Sequence, residues 1–299
     1  MYGDEKTRGI YGPTVLEGVN LVHTMRRAGP LRLHCVEAGR EDGPLTLFLH
    51  GFPECWWGWR RQIAPLAHAG LRVVAVDQRG YGTSDKPPGV TAYGLDLLAA
   101  DVIALAETLG AQRFQLVGHD WGGIVAWWTA ARYSDRVERV AILNAPHPGV
   151  LGPYLLKSPV QAMRSFYIAF FQLPWLPEAL LGARNFRTLA AMLRRTSRLG
   201  AFRTADLTPY RQAWAQPGAL NAMLNWYRAL PREWKRPERV HMPALVLWGT
   251  RDPALERGLA QASLDLCDSG TIRWFETAGH WLQHEEVTAV NEALSGFLT

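Results

Sequence analysis

Three residues of this chain stand where side chains can do chemistry: Asp120, Asp252 and His280. Asp120 is the centre of Gly118-His119-Asp120-Trp121-Gly122, which follows the apolar run Phe114-Gln115-Leu116-Val117. Gly-x-nucleophile-x-Gly is the spacing of a nucleophile elbow, a strained turn from strand into helix. Its glycines let the chain turn sharply and let the helix approach without a Cβ clash. The usual occupant of the central place is serine, whose hydroxyl must lose a proton before it attacks. An aspartate carboxyl, with an ordinary pKa of roughly 4, is already ionised at neutral pH. It can displace a leaving group from an sp³ carbon, forming an alkyl ester that water must then hydrolyse.

Hydrolysis of such an ester needs a base, a group to orient the base, and donors for the oxyanion. Of the nine histidines, His280 alone lies on a late loop after an expected strand, in the order nucleophile, acid, base. His284 is the second choice and is expected to lie in the helix that follows. Trp248-Gly249-Thr250-Arg251-Asp252 ends another expected strand and brings Asp252 to the same cleft. Taken alone, an Asp before Pro253 also reads as an exposed turn. His50-Gly51-Phe52-Pro53 is placed to give an oxyanion hole the Phe52 amide, with the Trp121 amide as second donor. By itself that segment reads equally well as an ordinary Gly-Pro turn, and its Phe52-Pro53 bond is a candidate for the cis form. His119 is expected to turn its side chain away from the cleft, and His50 and His147 to be structural groups near its floor.

These residues can meet only if strands carry them to one end of a sheet. Short β-branched or apolar runs alternate with helical spacing, the pattern of a largely parallel sheet covered by helices. The expected strands are Leu31–Ala38, Leu45–His50, Leu71–Asp77, Phe114–Gly118, Val137–Leu143, Ala244–Gly249 and Thr271–Glu276, the first of them forming an antiparallel entry. Helices are expected over Tyr93–Leu109, ended by Gly110, and over Ile124–Tyr133. From Gly149 to about Arg239 no strong strand is found, and prolines divide the segment into short helices. The reading is a core of residues 1–148 and 240–299 with a helical cap, 149–239, over the carboxyl ends of the strands, where open α/β sheets bind ligands.

Hydrophobic residues make up 48% and charged residues 20% of the 299, an ordinary globular balance. No apolar run of about 18 residues predicts a membrane span. Met1–Gly12 is charged and has no apolar h-region, so no secretory signal is expected and a cytoplasmic location is. Cys35, Cys55 and Cys267 are scattered, without metal-ligand spacing or a disulfide framework. The net charge is +5, but the arginines are dispersed and the clusters Arg194-Arg195 and Arg232/Lys235/Arg236 are short. That favours a solvated surface over nucleic-acid binding.

With these residues assembled, the chain resembles the epoxide hydrolases of the α/β-hydrolase superfamily. The matching segments are His50-Gly-Phe-Pro-Glu-Cys-Trp-Trp-Gly-Trp-Arg60, Asp77-Gln-Arg-Gly-Tyr-Gly-Thr-Ser-Asp85, Gly118-His-Asp-Trp-Gly-Gly123, Asn144-Ala-Pro-His-Pro148, Trp248-Gly-Thr-Arg-Asp252 and Gly279-His280. The resemblance implies an α/β-hydrolase fold, a mostly parallel twisted sheet flanked by helices with an inserted helical cap. It also implies chemistry without metal or organic cofactor. Family members present two cap tyrosine hydroxyls to the epoxide oxygen. The stretch Tyr167-Ile-Ala-Phe-Phe-Gln-Leu-Pro174 is similar to that around the first tyrosine, and Leu224-Asn-Trp-Tyr-Arg228 to that around the second. The resemblance therefore implies Tyr167 and Tyr227 as the pair. Either alone reads as a packing residue; two matches in separate segments reverse that.

The implied reaction converts a small apolar epoxide and water to a vicinal diol, through an ester on Asp120 that His280 and Asp252 help to hydrolyse. The alternative is a haloalkane or haloacid dehalogenase using the same carboxylate, and a more distant one is a non-catalytic ligand-binding relative. Fluoroacetate-type dehalogenases resemble the chain but place Arg after the nucleophile, where Trp121 stands here. Haloalkane dehalogenases typically use the residue after His-Gly as a halide donor, and here it is Phe52. Trp121 and the cap residue Trp175 keep that alternative open, and monomer and homodimer are both open.

Overall fold

The computed structural model describes residues 12–232, 236 and 238–299; the readings that rest on Met1–Tyr11 and on Lys235 lie outside the described residues. Two short strands, β1 (Val15–Leu16) and β2 (Val19–Asn20), pair antiparallel as a hairpin ahead of the main sheet. The main strands are β3 (Val22–Ala28), β4 (Leu31–Gly39), β5 (Leu45–Leu49), β6 (Arg72–Val76), β7 (Phe114–His119), β8 (Val137–Leu143), β9 (Ala244–Gly249) and β10 (Gly270–Phe275). They form one eight-stranded sheet in the order β10-β9-β8-β7-β5-β6-β4-β3.

Pairing is parallel from β10 through to β6 and antiparallel between β6 and β4 and between β4 and β3. Every residue of β5, β7 and β9 is buried, as expected of strands covered on both faces. The antiparallel entry is therefore the β3–β4 pair. Leu45–Leu49 is parallel to both neighbours and lies inside the sheet, which corrects any place for it in that entry. β3 escapes a hydrophobicity reading because, as an edge strand, it carries His, Thr and two Arg on a partly exposed surface.

Helices α1 (Arg60–His68), α2 (Leu95–Thr108) and α3 (Trp121–Arg132) connect the strands of the first half. Between β8 and β9 the chain runs through α4 (Pro148–Lys157), α5 (Pro159–Arg164), α6 (Phe166–Phe171), α7 (Leu176–Arg195), α8 (Leu207–Trp214) and α9 (Ala219–Ala229), with no strand among the described residues. Prolines stand in the first turn of α4, α5 and α7, where a missing N–H costs nothing. α7 is broken in its middle: Arg184, Asn185 and Phe186 take φ of +51°, +54° and +57°. Helices α10 (Gly258–Leu264), α11 (Leu282–Glu285) and α12 (Val287–Leu298) complete the fold.

Buried indoles tie the inserted helices to the sheet. Trp214 donates to the Pro53 carbonyl at 2.5 Å and Trp226 to the Arg79 carbonyl at 3.2 Å, while Trp57 reaches out to the Asp206 carbonyl at 3.1 Å. Each ring buries apolar surface while its one N–H is satisfied. Among the described residues no helix is long and apolar enough to cross a membrane, and no three His, Cys, Asp or Glu side chains are grouped as metal ligands.

Candidate active site

β7 ends in a turn that only this sequence pattern permits. Asp120 takes φ +50° and ψ −122°, a left-handed conformation that costs a non-glycine residue about 1–3 kcal/mol. A Cβ on Gly122 would lie 2.1 Å from the Leu49 carbonyl oxygen, and one on Gly51 would lie 2.4 Å from the Asp120 Cβ. Both positions must be glycine for α3 and the β5 turn to close around the carboxylate. The strained residue is thus held by contacts on two sides, with its side chain at the carboxyl ends of the strands.

The Phe52 amide donates to Asp120 Oδ1 at 2.8 Å, and the Phe52-Pro53 bond is cis. The Trp121 amide heads α3, where no intrahelical acceptor exists. Of the two expected amides, only that of Phe52 bonds to Asp120 in this geometry. His280 Nε2 stands 3.6 Å from Asp120 Oδ2, and its Nδ1 is 2.7 Å from Asp252 Oδ2. The loops after β9 and β10 carry Asp252 and His280, so parallel strands bring together residues 160 positions apart.

Asp252 is buried, and burial alone would raise its pKa. The charge and hydrogen bond of His280, the Ala254 amide and the Asn144 side chain hold it below the ordinary carboxylate range. Burial likewise disfavours charge on His280. The Asp252 carboxylate outweighs that, with Asp120 and Glu54 adding to it, and the imidazole is raised to about 9. The neighbouring carboxylates thus favour the imidazolium form of His280.

Two residues of this site were missed as functional by the sequence reading. Asn144, at φ +41°, donates from Nδ2 to Asp252 Oδ2 at 2.7 Å and accepts from the Gly249 amide at 3.0 Å. Asn is enriched at left-handed positions, and that was the available signal. Replacing Asn144 with Ala leaves the buried Gly249 N–H unpaired and strips a donor from Asp252. The expected outcome is a loss of about 2–4 kcal/mol in chemical denaturation. The second is Glu54, buried under the cleft, which accepts hydrogen bonds from Tyr210 at 2.5 Å, His284 Nε2 at 2.7 Å and Gln283 at 2.9 Å.

His119 is fully buried beside Glu54 and bonds to the His280 carbonyl at 2.9 Å, turned away from the cavity. His284 lies in α11 and not at Asp120. His50 and His147 are fully buried and accept from the Gln78 and Gly149 amides.

Tyr167 on α6 and Tyr227 on α9 face each other with ring centroids 5.8 Å apart. The Trp121 ring stands edge-on to that of Tyr227, with centroids 5.2 Å apart. Tyr167 is 39% exposed overall, yet burial of its phenol and then the Asp120 charge push its pKa up. Tyr227 is raised in the same direction by burial, by Tyr167 and by Asp120. Both phenols line a cavity of about 280 Å³ together with Asp120, His280 and Phe52. Phe171, Met192 and Trp281 make its walls largely apolar. Trp175, by contrast, is 73% exposed and does not line it.

A carboxylate, an imidazole, a backbone donor and two phenols thus converge on a small apolar cavity. That set can alkylate the carboxylate, protonate a departing alkoxide and hydrolyse an ester. The pattern of the alpha/beta hydrolase fold family matches residues 44–287. The chain is 43% identical to AB hydrolase superfamily protein YfhM of Bacillus subtilis (strain 168), over 90% of this chain and 94% of that one. It is 37% identical to epoxide hydrolase 4 of Homo sapiens, over 90% of this chain and 76% of that protein. The crystal structure of Bacillus megaterium epoxide hydrolase with an inhibitor superposes with a TM-score of 0.84 at 29% identity, covering 93% of this chain and 99% of that one.

Proposed function

The chain belongs to the α/β hydrolase fold family and, within it, to the epoxide hydrolases, and on that footing we propose that Asp120 opens an epoxide by direct attack on carbon. The observation that carries this reading is the pair of phenols, Tyr167 and Tyr227, across the cavity from the Asp120 carboxylate. An alkyl halide needs no proton for its leaving group. An epoxide does, because its ring oxygen departs as an alkoxide. A phenol is far more acidic than an alcohol and yet stays protonated at neutral pH.

In the first half-reaction Asp120 Oδ2 forms a bond to the epoxide carbon, the ring C–O bond breaks, and the oxygen takes a proton from a phenol. Forming the ester removes the negative charge of Asp120. That charge supports the imidazolium of His280 and also raises both tyrosines. Its loss lowers His280 toward neutrality as the base is needed, and makes the tyrosines better acids as the alkoxide develops. One bond-forming event therefore prepares both groups.

In the second half-reaction neutral His280 takes a proton from water, Asp252 steadies the resulting imidazolium, and hydroxide adds to the Asp120 carbonyl carbon. The Phe52 amide already holds Oδ1, and with the Trp121 amide it stabilises the oxyanion. Collapse releases the diol, whose departing oxygen takes the proton from His280, and the proton of the regenerated Asp120 carboxyl restores the phenol. Residues 149–239 serve as the cap that carries the phenols, and residues 1–148 and 240–299 as the core that carries the ester chemistry.

The Trp281 indole N–H donates to Thr196 at 2.8 Å and Trp175 lies outside the cavity, so a second free indole donor to join Trp121 in holding a halide is missing among the described residues. The test is a parallel assay of diol release from an epoxide panel and halide release from a haloalkane panel. Diol without halide is expected. Halide release at rates matching or exceeding diol release would overturn the reading.

A further inference from the structure

The cavity opens beneath a part of the surface that is unlike the rest. Among the described residues, nine of the twelve large apolar side chains that stand exposed fall between Leu156 and Leu199. Met163, Phe166 and Trp175 each leave 73% of their surface uncovered. Val160 and Met163, three apart on α5, share one side of that helix. Tyr167, next to Phe166, connects this row to the cavity that it lines. Leu180 does the same from α7, where it borders a surface groove with Arg184, Arg187 and Arg195, and that groove shares Met192 with the cavity.

The charge of the same segment is equally uneven. Residues 149–205 hold eight Arg and Lys against a single acid, Glu178, a balance of +7 where the whole chain carries only +5. Glu178 is itself paired with Arg228 at 2.7 Å. Arg184, Arg187 and Arg195 are exposed and have no carboxylate partner among the described residues. Arg184, Arg187 and Arg195 thus stand together at the groove that adjoins the cavity.

We propose that this face docks the protein onto an anionic phospholipid bilayer, with Met163, Phe166 and Trp175 entering the headgroup region and the arginines around Arg187 meeting lipid phosphates. Exposed aromatic and aliphatic side chains rimmed by cations are what a charged lipid interface binds. A second copy of the chain is a poor occupant, since two grooves lined by Arg184, Arg187 and Arg195 repel. Docking would hold the mouth of the cavity against the membrane, where apolar compounds concentrate. That the delivered compound is a lipid-dissolved epoxide rests on the function proposed above; the docking itself does not.

The experiment is co-sedimentation of the full chain with vesicles of phosphatidylcholine, alone or with about 30% phosphatidylglycerol, at low and high salt. Binding to the anionic vesicles only, weakened by salt, is expected. Arg187→Gln/Arg195→Gln should weaken it about 30-fold. Met163→Ser/Trp175→Ser should weaken it about 10-fold at unchanged charge. Both variants should hydrolyse a water-soluble epoxide at the wild-type rate, which also shows that they fold. No binding to anionic vesicles, equal binding by the variants, or a dimer in light scattering that either variant dissolves would each overturn the proposal. A wild type that docks but opens no epoxide would instead overturn the function proposed above.

Discussion

Replacing His280 with Gln is expected to stop the enzyme halfway, with the substrate bonded to Asp120. Intact-protein mass spectrometry after incubation with an epoxide should show one adduct of the full epoxide mass, because ring opening expels nothing. A haloalkane would add its mass less that of the hydrogen halide. Steady-state turnover should fall by at least about 10³-fold, the upper part of what a general base contributes. Asp120→Ala, treated identically, should show no adduct. The pH dependence follows from His280. Its pKa of about 9 belongs to the protein with Asp120 charged, and esterification removes one of the charges that raise it. Ester hydrolysis in single-turnover experiments should therefore speed up with rising pH, with a midpoint below 9. Ester hydrolysis that does not rise with pH, or turnover by His280→Gln without an adduct, would remove His280 from the mechanism.

The Tyr167→Phe/Tyr227→Phe double variant is the second large expectation. Each single change should cost about 10-fold, because the remaining hydroxyl can still reach the alkoxide, whereas the double change should cost about 10³-fold or more. The deficit should fall on alkylation rather than on ester hydrolysis, so no adduct should build up. Both phenols face the cavity, so the fold should survive the change with a modest stability loss of about 1 kcal/mol. Thermal denaturation separates that loss from unfolding. A double variant that opens styrene oxide at the wild-type rate would remove the phenols from the reaction.

What could be read from the sequence differed by residue for physical reasons. The strands Val137–Leu143 and Ala244–Gly249 were read with the boundaries they have, because Ala244–Gly249 is a continuous apolar run and Val137–Leu143 is β-branched and apolar but for Glu138 and Arg139. Asp120 was legible because close packing leaves only glycine at Gly118 and Gly122, and the spacing, weak alone, was joined by the His50–Pro53, Asp252 and His280 segments. Edge strand β3 was not legible, since its alternation is set by a neighbour and not by a buried face. Asn144 and Glu54 were quoted within motifs but left without roles. Their partners, Asp252 with Gly249 and Tyr210 with His284, are distant in sequence and are fixed only by the fold. The tyrosine pair came from a family likeness in the cap and not from chemistry visible in either segment. The break in α7 puts Arg184, Asn185 and Phe186, none of them glycine, at positive φ, and only Gly182 beside it is a signal.

The hydrogen bond from the Phe52 amide to Asp120 Oδ1 makes the two carboxylate oxygens unequal before any substrate arrives. Oδ2, on the His280 side, is the one free to join carbon. On the proposed chemistry it leaves with the diol, and an oxygen from water takes its place. Oδ1 stays where the amide holds it. So long as the carboxylate does not rotate, solvent oxygen enters Asp120 at one position only, however many turnovers pass. Half of the side chain is a consumable renewed by each water molecule, and the other half is a permanent part of the protein.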